Sequence, residues 1–374
     1  MLRKGISTLV YAVATFVLIA PFFCANADST VQIVKTTPEY NLYFGDLHAH
    51  TSFSDGLGTP ADAYASAIVG GAAFMATTDH HYLLTVEDWE KTKVIADEFT
   101  SSDFVAIAGF EYFITGWGEV NVFNYPEKDM GIWDHGYKGT PHPTALPTFY
   151  DTLSDNTGSV GLWVHPTWAY SKEFEDFDYQ TDSRDRAMGL CEIHNYGNWE
   201  YYGWIDDEPS FQMALDEGWH VMPAANSDTH SDNWIVGYEC RTVLFAESLT
   251  RDNLYEAMVA GRGYATIDKN LRMSFELNGE MMGSNLSAPA NEYIASVHIE
   301  DPDVDSNDEI TRVDIITDFG VVAETKEFFD TTVDWTITLD GGESRYFYVR
   351  VITESNVPGE AGPTAWSAPI WTGL

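Results

Sequence analysis

The segment Leu42-Tyr43-Phe44-Gly45-Asp46-Leu47-His48-Ala49-His50 begins as a short apolar strand and ends in two histidines one residue apart. From this segment to about residue 263, short apolar runs alternate with amphipathic stretches, which is typical of parallel strands joined by crossover helices. The predicted strands are 42–47, 73–78, 104–110, 160–164, 188–193, 221–225 and 242–246. The predicted helices are 61–70, 86–99, 209–217 and 249–260. Seven strands in this rhythm indicate a barrel or a doubly wound α/β sheet.

The texture of the sequence changes after residue 265, where β-branched and aromatic runs are separated by Gly, Asn and Asp turns. These runs are 273–277, 293–299, 313–317, 335–339 and 346–353. They predict an antiparallel β-sandwich at 269–374, after a barrel domain at 28–268. One acidic stretch is interpreted as a solvated turn, because it lacks the glycine and the last glutamate of an EF-hand calcium loop. It contains Asp301, Asp303, Asp305, Asp308 and Glu309.

The chain of 374 residues is strongly acidic, with 58 Asp and Glu against 19 Lys and Arg and a formal net charge of −39. This charge excludes a role in coating DNA or RNA, because the nucleic-acid backbone binds basic surfaces. It indicates either a salty medium or neutralisation by bound metal ions, and the charge alone does not choose between them. A hydrophobic fraction of 44% argues against wholesale disorder.

The first residues have the pattern of an export signal. Arg3 and Lys4 precede an apolar run at 6–23, and Ala25-Asn26-Ala27 supplies small residues at a cleavage position. We therefore expect a signal peptide at 1–27, a periplasmic or secreted protein, and no membrane span after cleavage. A retained anchor is the alternative, since the apolar run is about as long as a membrane span requires.

Three cysteines occur in the chain, and two of them lie after the predicted signal. Lipidation of Cys24 is disfavoured, because bulky residues precede it where a lipoprotein signal has small ones. Cys191 and Cys240 are too few for a disulfide scaffold, and the sequence leaves open whether they pair or are buried thiols.

Nearly every predicted strand ends in residues of the types that bind metal ions. They are His48, His50, Asp55, His80, Glu111, His165, Glu192, His194, Asp228 and His230. Since the carboxyl ends of parallel strands meet at one face of the sheet, these side chains are expected to converge in one cleft. Imidazole nitrogens and carboxylate oxygens suit zinc, manganese and iron, and burying so many of them without a cation costs several kcal/mol each. The sequence thus predicts a metal site.

The motifs resemble those of the PHP (polymerase and histidinol phosphatase) family of metal-dependent phosphoesterases. The matching segments are 44–51 (FGDLHAHT), 54–56 (SDG), 78–80 (TDH), Glu111, His165-Pro166 and 228–230 (DTH). The later segments 263–266 (GYAT) and 367–371 (SAPIW) resemble the exported CehA/McbA-like branch of that family.

The resemblance implies a distorted (β/α)7 barrel that holds two or three divalent ions, namely Zn, Mn or Fe. The first ion is then held by His48, His50, Glu111 and Asp228. Glu111 bridges to a second ion, which is also held by His165 and a fifth-strand ligand. The third ion is held by Asp55, His80 and His230. By strand alternation Glu192 and His194 both face inward, so the fifth-strand ligand is open, with His194 as the candidate. His81 is interpreted as a rim or substrate contact, with simple exposure equally open.

The implied reaction is hydrolysis of a phosphate mono- or diester of small-molecule size by a metal-bridging hydroxide. The candidates for donating a proton to the leaving group are Asp55, His80 and His194, and none is singled out. Arg262 is interpreted as a substrate contact or as a cation at a helix end. The oligomeric state is not predicted.

Two alternatives remain open for the function. The same site can hydrolyse a carbamate, ester or amide, whose carbonyl the ions would polarise. The protein can also be an exported binding protein with structural metals, in which aromatic residues form a stacking platform. Those aromatics are Trp199, Tyr201, Tyr202 and Trp204.

Overall fold

Helices and strands alternate through the first two thirds of the computed structural model, which describes residues 40–131, 142–168, 173–196, 205–303, 309–353 and 362–374. The helices are α1 (Pro60–Val69), α2 (Val86–Phe99), α3 (Ala145–Asp155), α4 (Asp182–Asp185), α5 (Glu208–Asp216) and α6 (Arg251–Val259). The first ten strands are β1 (Asn41–Asp46), β2 (Phe74–Thr77), β3 (Val105–Ile114), β4 (Gly118–Phe123), β5 (Val160–Val164), β6 (Met188–Asn195), β7 (Ile205–Asp206), β8 (Met222–Asn226), β9 (Arg241–Ala246) and β10 (Gly263–Thr266). Strands alone follow. They are β11 (Arg272–Leu277), β12 (Glu280–Met281), β13 (Glu292–Glu300), β14 (Ile310–Thr317), β15 (Val321–Asp330), β16 (Thr332–Asp340), β17 (Tyr346–Thr353), β18 (Pro363–Ser367) and β19 (Ile370–Trp371).

All seven predicted strands of the α/β part are present, but they do not all run parallel. The pairs β1–β2, β2–β3, β5–β6 and β6–β8 are parallel, whereas β4 lies antiparallel between β3 and β5. The sequence analysis missed β4. A tight turn joins it to β3, with Trp117 N donating to Ile114 O at 2.8 Å, and so short a connection permits only an antiparallel return.

The expectation that the seventh strand is parallel is wrong. β9 pairs with β1 in the antiparallel sense, because the link from β8 to β9 contains turns and no crossover helix. β1 and β8 nevertheless meet just beyond their carboxyl ends. Asp228 N donates to His48 O at 2.8 Å, and His50 N donates to Thr229 O at 2.9 Å. These bonds bring the first and last site motifs side by side.

The carboxyl-terminal strands form two antiparallel layers with one shared core. The order β12–β11–β13–β16 makes a four-stranded sheet, while β15–β14–β17–β18 continues the large sheet through pairing of β18 with β10. Alternate residues of the two layers, such as Val297 and Val349, are buried in the same hydrophobic cluster. Since β10 and β18 pair across the predicted domain boundary at residue 268, the sheet is continuous there. The described residues from 40 to 374 belong to a single compact unit.

Some predicted features lie outside the described residues, namely the signal segment 1–27, Trp199, Tyr201, Tyr202, Trp204, Asp305 and Asp308. Asp301 is buried, not solvated as predicted for its turn, and its Oδ1 accepts a bond from Asp303 N at 2.9 Å. Cys191 and Cys240 are both buried and do not form a disulfide with each other. Within the described ranges, every helix is too short or too polar to cross a bilayer.

Candidate metal centre

The carboxyl end of β1 delivers two completely buried imidazoles to the same side of the backbone. His48 and His50 are both 0% exposed, and their ring centroids are 5.4 Å apart. Ala49, between them, points the opposite way into an apolar cluster, and its N–H donates to Thr78 Oγ1 at 3.1 Å. The extended His-x-His pattern therefore has the alternation that the sequence predicted.

Glu111, in the middle of β3, is the carboxylate on which the imidazoles converge. Its Oε1 lies 3.5 Å from His48 Nε2 and 3.2 Å from His165 Nε2. Its Oε2 lies 3.4 Å from His50 Nε2 and 2.6 Å from His80 Nδ1. Burial alone would raise the pKa of Glu111. The surrounding imidazoles, of which His80 has the largest effect, instead hold this pKa well below its ordinary value.

Asp228, just after β8, presents a second carboxylate to the same histidines. Its Oδ1 lies 3.2 Å from His48 Nε2 and 3.1 Å from His50 Nε2, while its Oδ2 accepts a bond from Asn195 Nδ2 at 3.1 Å. Asp228 has a φ of 47° and His165 a φ of 32°, a region that residues other than glycine rarely adopt. Backbone strain of this kind is concentrated at functional sites, where surrounding contacts hold it in place.

A third group of ligand types opens toward solvent. Asp55 Oδ1 is 3.3 Å from His230 Nε2 and 3.9 Å from His50 Nδ1, and its Oδ2 is 3.7 Å from His80 Nε2. The side chains of Asp55 and His230 are 46% and 41% exposed, unlike the buried part of the site. This end of the site is therefore open to solvent.

The loop that carries Asp55 is fixed by Asp79, a residue of the second strand-end motif. The carboxylate of Asp79 accepts bonds from Thr51 N at 2.8 Å, from Thr51 Oγ1 at 2.7 Å and from Ser54 Oγ at 2.6 Å. Asp79 thus positions the loop between β1 and α1 and is not itself among the converging ligands.

The structure brings together eight of the predicted ligands, here called the ligand cluster: His48, His50, Asp55, His80, Glu111, His165, Asp228 and His230. The ligand cluster contains three groups of residues, and inside each group the ligand atoms lie within 4.8 Å of one another. These groups are His50 with Asp55, His80 and His230; His48 with His50 and Glu111; and His48 with His165 and Asp228.

His194 does not join the ligand cluster. The β6–β8 register shifts between Glu192 and His194, and such a bulge interrupts the alternation from which the sequence analysis placed both side chains inward. His194 instead lines a separate cavity with Tyr196, Tyr238 and Cys240.

Glu192 contacts His48 and His165 of the ligand cluster, but it is not part of the groups of converging ligand atoms. Its Oε1 lies 3.2 Å from His48 Nδ1 and accepts a bond from Asn226 Nδ2 at 2.9 Å. Its Oε2 accepts from His165 N at 2.8 Å and from Asn195 Nδ2 at 3.0 Å. Glu192 therefore orients ligands instead of adding a further ligand atom.

Sequence reasoning missed Glu119 on β4. Its carboxylate completes a fourth group with His80 and Glu111, again with ligand atoms within 4.8 Å of one another. Burial and the charge of Glu111 raise the pKa of Glu119 to about 7. The available signal was the alternation of polar Glu119 and Asn121 with apolar Val120 and Val122.

The surroundings of two other residues bear on the alternatives left open for them, and they contradict exposure of His81 and favour a helix-end cation for Arg262. His81 is only 6% exposed and stacks on Tyr112 at a centroid distance of 4.0 Å, so it is a packed residue, not an exposed rim residue. Arg262 pairs with Glu256 and lies over the Tyr40 ring, which accounts for it as a cation near the end of α6.

The donor set fits divalent metal ions. Within the described part of the chain, His48 Nε2, His50 Nε2 and Glu111 Oε2 are buried without a hydrogen bond of acceptable geometry, although they point at one another. Leaving such atoms unsatisfied is costly, and a cation removes that cost. The contacts of 3.1–3.5 Å that His48 and His50 make with Glu111 and Asp228 are close to the ~3.4 Å between neighbouring ligands of a tetrahedral zinc ion.

No family model matches the chain. A curated relative, an uncharacterised protein of Chlamydia trachomatis, is 27% identical over 145 residues, which are 36% of this chain and 22% of the relative. The match thus spans about a fifth of that relative's length.

Three solved structures resemble the chain at 15% identity. A two-domain protein from Bacteroides vulgatus, which contains a predicted PHP-like metal-dependent phosphoesterase, has a TM-score of 0.47 and matches over 88% of this chain and 96% of its own. An amidohydrolase from Chromobacterium violaceum has a TM-score of 0.35 and matches over 50% of this chain and 87% of its own. A protein from Bifidobacterium adolescentis, for which a metal-dependent phosphoesterase function is proposed by name only, has a TM-score of 0.31 and matches over 50% of this chain and 88% of its own. At 15% identity and TM-scores below 0.5, these resemblances carry no argument about chemistry, which depends on the residues of the site itself.

Proposed function

We propose that this chain is a metal-dependent hydrolase that cleaves phosphate mono- or diesters of small molecules. The observation that carries the proposal is the convergence of the ligand cluster around Glu111 and Asp228. Eight residues from six separate motifs come together there, with buried nitrogen and oxygen atoms directed at one another. Packing alone gives no reason to collect so many imidazoles and carboxylates at one point.

The proposed ligand assignment is the one that the family resemblance implies. The groups of neighbouring atoms support its first and third sets, and the 3.2 Å contact of His165 Nε2 with Glu111 Oε1 supports its second. His48, His50, Glu111 and Asp228 hold one ion, Glu111 and His165 contribute to a second, and Asp55, His80 and His230 hold a third. When bound, zinc, manganese or iron ions supply an acidified water as nucleophile and neutralise phosphoryl oxygens.

The residues of the chain supply orientation in this proposal. Glu192 and Asp79 fix the ligands and the loop between β1 and α1. No residue is assigned as the carrier of a proton to the leaving group, because Asp55 and His80, which lie 3.7 Å apart, are both ligands of the third ion in this proposal and a metal-bound group does not readily hold a proton. His194 is dropped from this role, because it lines a different cavity.

The proposed architecture is a distorted PHP-type barrel at 28–268 followed by a β-sandwich at 269–374. The bonds that join the ends of β1 and β8 support the first part, and the shared core of the two antiparallel layers supports the second. We further propose, from the pattern of residues 1–27 alone, that the protein is exported. Membership of the CehA/McbA-like branch is part of the same proposal.

The test compares wild type, a His48→Ala/His50→Ala variant and a His298→Ala control, all loaded with Mn²⁺ or Zn²⁺. His298 is an exposed histidine on β13, and it contacts Asp334 instead of the ligand cluster. Nitrophenyl phosphate mono- and diesters are assayed beside aryl carbamates and aryl esters. Phosphoesterase activity in the wild type and the control, with loss in the double variant, supports the proposal. Turnover of carbonyl substrates without phosphate release would contradict it.

A further inference from the structure

Glu119 lies on β4, which pairs with β3 and β5 and brings its carboxylate to the ligand cluster. In the antiparallel pairing of β3 with β4, Glu111 lies across from Asn121 and Phe113 lies across from Glu119. Residues directly opposite share a face, and so do residues two apart on one strand. The register therefore places Glu119 on the same face of the sheet as Glu111.

The carboxylate of Glu119 spans two imidazoles of the ligand cluster. Its Oε1 lies 3.7 Å from His80 Nδ1, and its Oε2 lies 3.8 Å from His165 Nε2. Glu111 contacts the same two nitrogen atoms, at 2.6 Å and 3.2 Å. Two carboxylates and two imidazoles thus surround one small volume, and the Glu119 side chain is only 14% exposed.

Two features of this volume point to a cation. The first is Glu111 Oε2, which belongs to a completely buried residue and makes no hydrogen bond of acceptable geometry with the described residues. The second is the close approach of two carboxylates, which repel each other in a buried site unless a positive charge lies between them. The separations of 3.7–3.8 Å are slightly longer than the ~3.4 Å between ligands of a tetrahedral ion, so a small side-chain movement suffices.

The family resemblance implies that the second ion has a ligand on β6, the fifth of the strands predicted from the sequence, but β6 brings no such ligand to the ligand cluster. His194 lines a separate cavity, and Glu192 is occupied with His48 and three donor groups. The second ion would otherwise have only Glu111 and His165.

We infer that Glu119 is a metal ligand. Together with Glu111 and His165 it completes the ligands of the second ion, in place of a residue on β6. This inference rests on the proposed metal-dependent function. A carboxylate in this position also adds negative charge, which favours a divalent cation over a neutral partner.

The test measures metal binding directly, so it does not depend on finding a substrate. Wild type, Glu119→Gln, Glu111→Gln and the control Glu324→Gln are loaded with Mn²⁺, freed of excess ion and analysed for metal per chain. Glu324 is an exposed residue of β15 and matches the change in charge and shape. Affinity is then measured by competition with a chromophoric chelator, and folding is checked by circular dichroism.

The expected result is that Glu119→Gln loses about one ion per chain, or binds its weakest ion at least tenfold less tightly, while Glu324→Gln equals wild type. Glu111→Gln should lose more, because Glu111 contacts four imidazoles. If Glu119→Gln keeps the metal number and affinity of wild type, the inference is overturned and the metal centre stands. If wild type itself binds no Mn²⁺ or Zn²⁺, the proposed function fails as well.

A second variant decides the case if Glu119→Gln folds poorly. Glu119→Asp keeps the charge but shortens the side chain by one methylene, so the carboxylate no longer reaches both His80 and His165. A reduced affinity for the weakest ion in folded Glu119→Asp supports the inference. Unchanged binding in that variant overturns it, since a role confined to charge balance would survive the shortening.

Discussion

His48 contacts Glu192 with one ring nitrogen and Asp228, another member of the ligand cluster, with the other. Its Nδ1 lies 3.2 Å from Glu192 Oε1, while its Nε2 lies 3.2 Å from Asp228 Oδ1. A proton held on Nδ1 by the Glu192 carboxylate leaves the Nε2 lone pair free for a metal ion. Histidine ligands of metals are commonly oriented by carboxylates in this way.

Glu192→Gln should therefore weaken metal binding without removing a ligand. Among the described residues, the hydrogen-bond partners of the Glu192 carboxylate are the His165 N–H, the amides of Asn195 and Asn226 and, when it carries the proton, His48 Nδ1. A glutamine amide would place its own N–H₂ against one of these donors. We expect roughly a 10- to 100-fold loss in affinity, as for other residues behind metal ligands, measured by chelator competition. Unchanged affinity would show that His48 is oriented without Glu192.

Substitution of two buried histidines tests whether the metal ligand lies after β5, at His165, or on β6, at His194. His165→Ala should lower the metal content, since His165 Nε2 lies 3.2 Å from Glu111 Oε1. His194→Ala should leave the metal content at the wild-type value, because His194 lines another cavity. Elemental analysis of the two purified variants makes the comparison. Equal metal loss in both would mean that His194 reaches the site after all.

Much of this site was predictable because strand ends carry its ligands. His48, His50, Glu111 and Asp228 each follow or lie in an apolar strand that the sequence marks clearly, and parallel strands gather their ends at one face. The order of the motifs along the chain was therefore enough to predict that they converge. The actual contacts depend on β1 and β8, whose ends are joined by backbone bonds of 2.8 and 2.9 Å.

Three features escaped prediction for identifiable physical reasons. His194 was assigned inward from strict alternation, but the bulge beside it reverses the side on which it lies. Glu119 was not considered, because β4 is short and follows β3 after a tight turn, so the apolar run seemed to end with β3. The antiparallel direction of β9 escaped for a similar reason, since a link without a helix differs little in sequence from one with a short helix.

Arg350 on β17 is expected to be important for stability. It contacts Glu208 on α5 at 3.1 Å and Asp314 on β14 at 2.8 Å, and both carboxylates are nearly fully buried. Tyr348 adds a 2.6 Å bond from its hydroxyl to Glu208. Removing the guanidinium takes one cation away from each of two buried carboxylates, although Arg312 still pairs with Asp314 at 3.2 Å. Arg350→Met should therefore lower the free energy of unfolding by about 3 kcal/mol.

Urea denaturation measures this loss, with Arg272→Ala as the control. Arg272 is 55% exposed and pairs with Glu300 on the surface, so its removal should cost less than about 1 kcal/mol. Metal content should be the same in both variants, since neither arginine contacts the ligand cluster. A loss for Arg350→Met no larger than that of the control would show that the buried carboxylates find other partners or bind protons at little cost.

The buried carboxyl of Asp207, at the start of α5, predicts a pH-dependent contribution to stability. Asp207 is 0% exposed, and Thr167 N donates to its Oδ1 at 3.1 Å. Burial raises the pKa of this group from 3.8 to about 7. Between these two values the folded chain keeps the proton while the unfolded chain releases it. The free energy of unfolding therefore falls as the pH rises through this window, by up to about 1.4 kcal/mol per pH unit from this group.

Asp207→Asn removes the titration but keeps an oxygen that accepts the bond from Thr167. Urea unfolding of wild type and Asp207→Asn at pH 4.5, 5.5, 6.5 and 7.5, at equal metal content, isolates the contribution, because other titrating groups cancel in the difference. Wild type should lose stability relative to the variant at each step up to about pH 7, and the difference should then level off. Asp103→Asn, at an exposed aspartate, should run parallel to wild type throughout. If Asp207→Asn also runs parallel, the Asp207 carboxyl is ionised in the folded protein across this range, and its burial is compensated by a cation or a donor beside it.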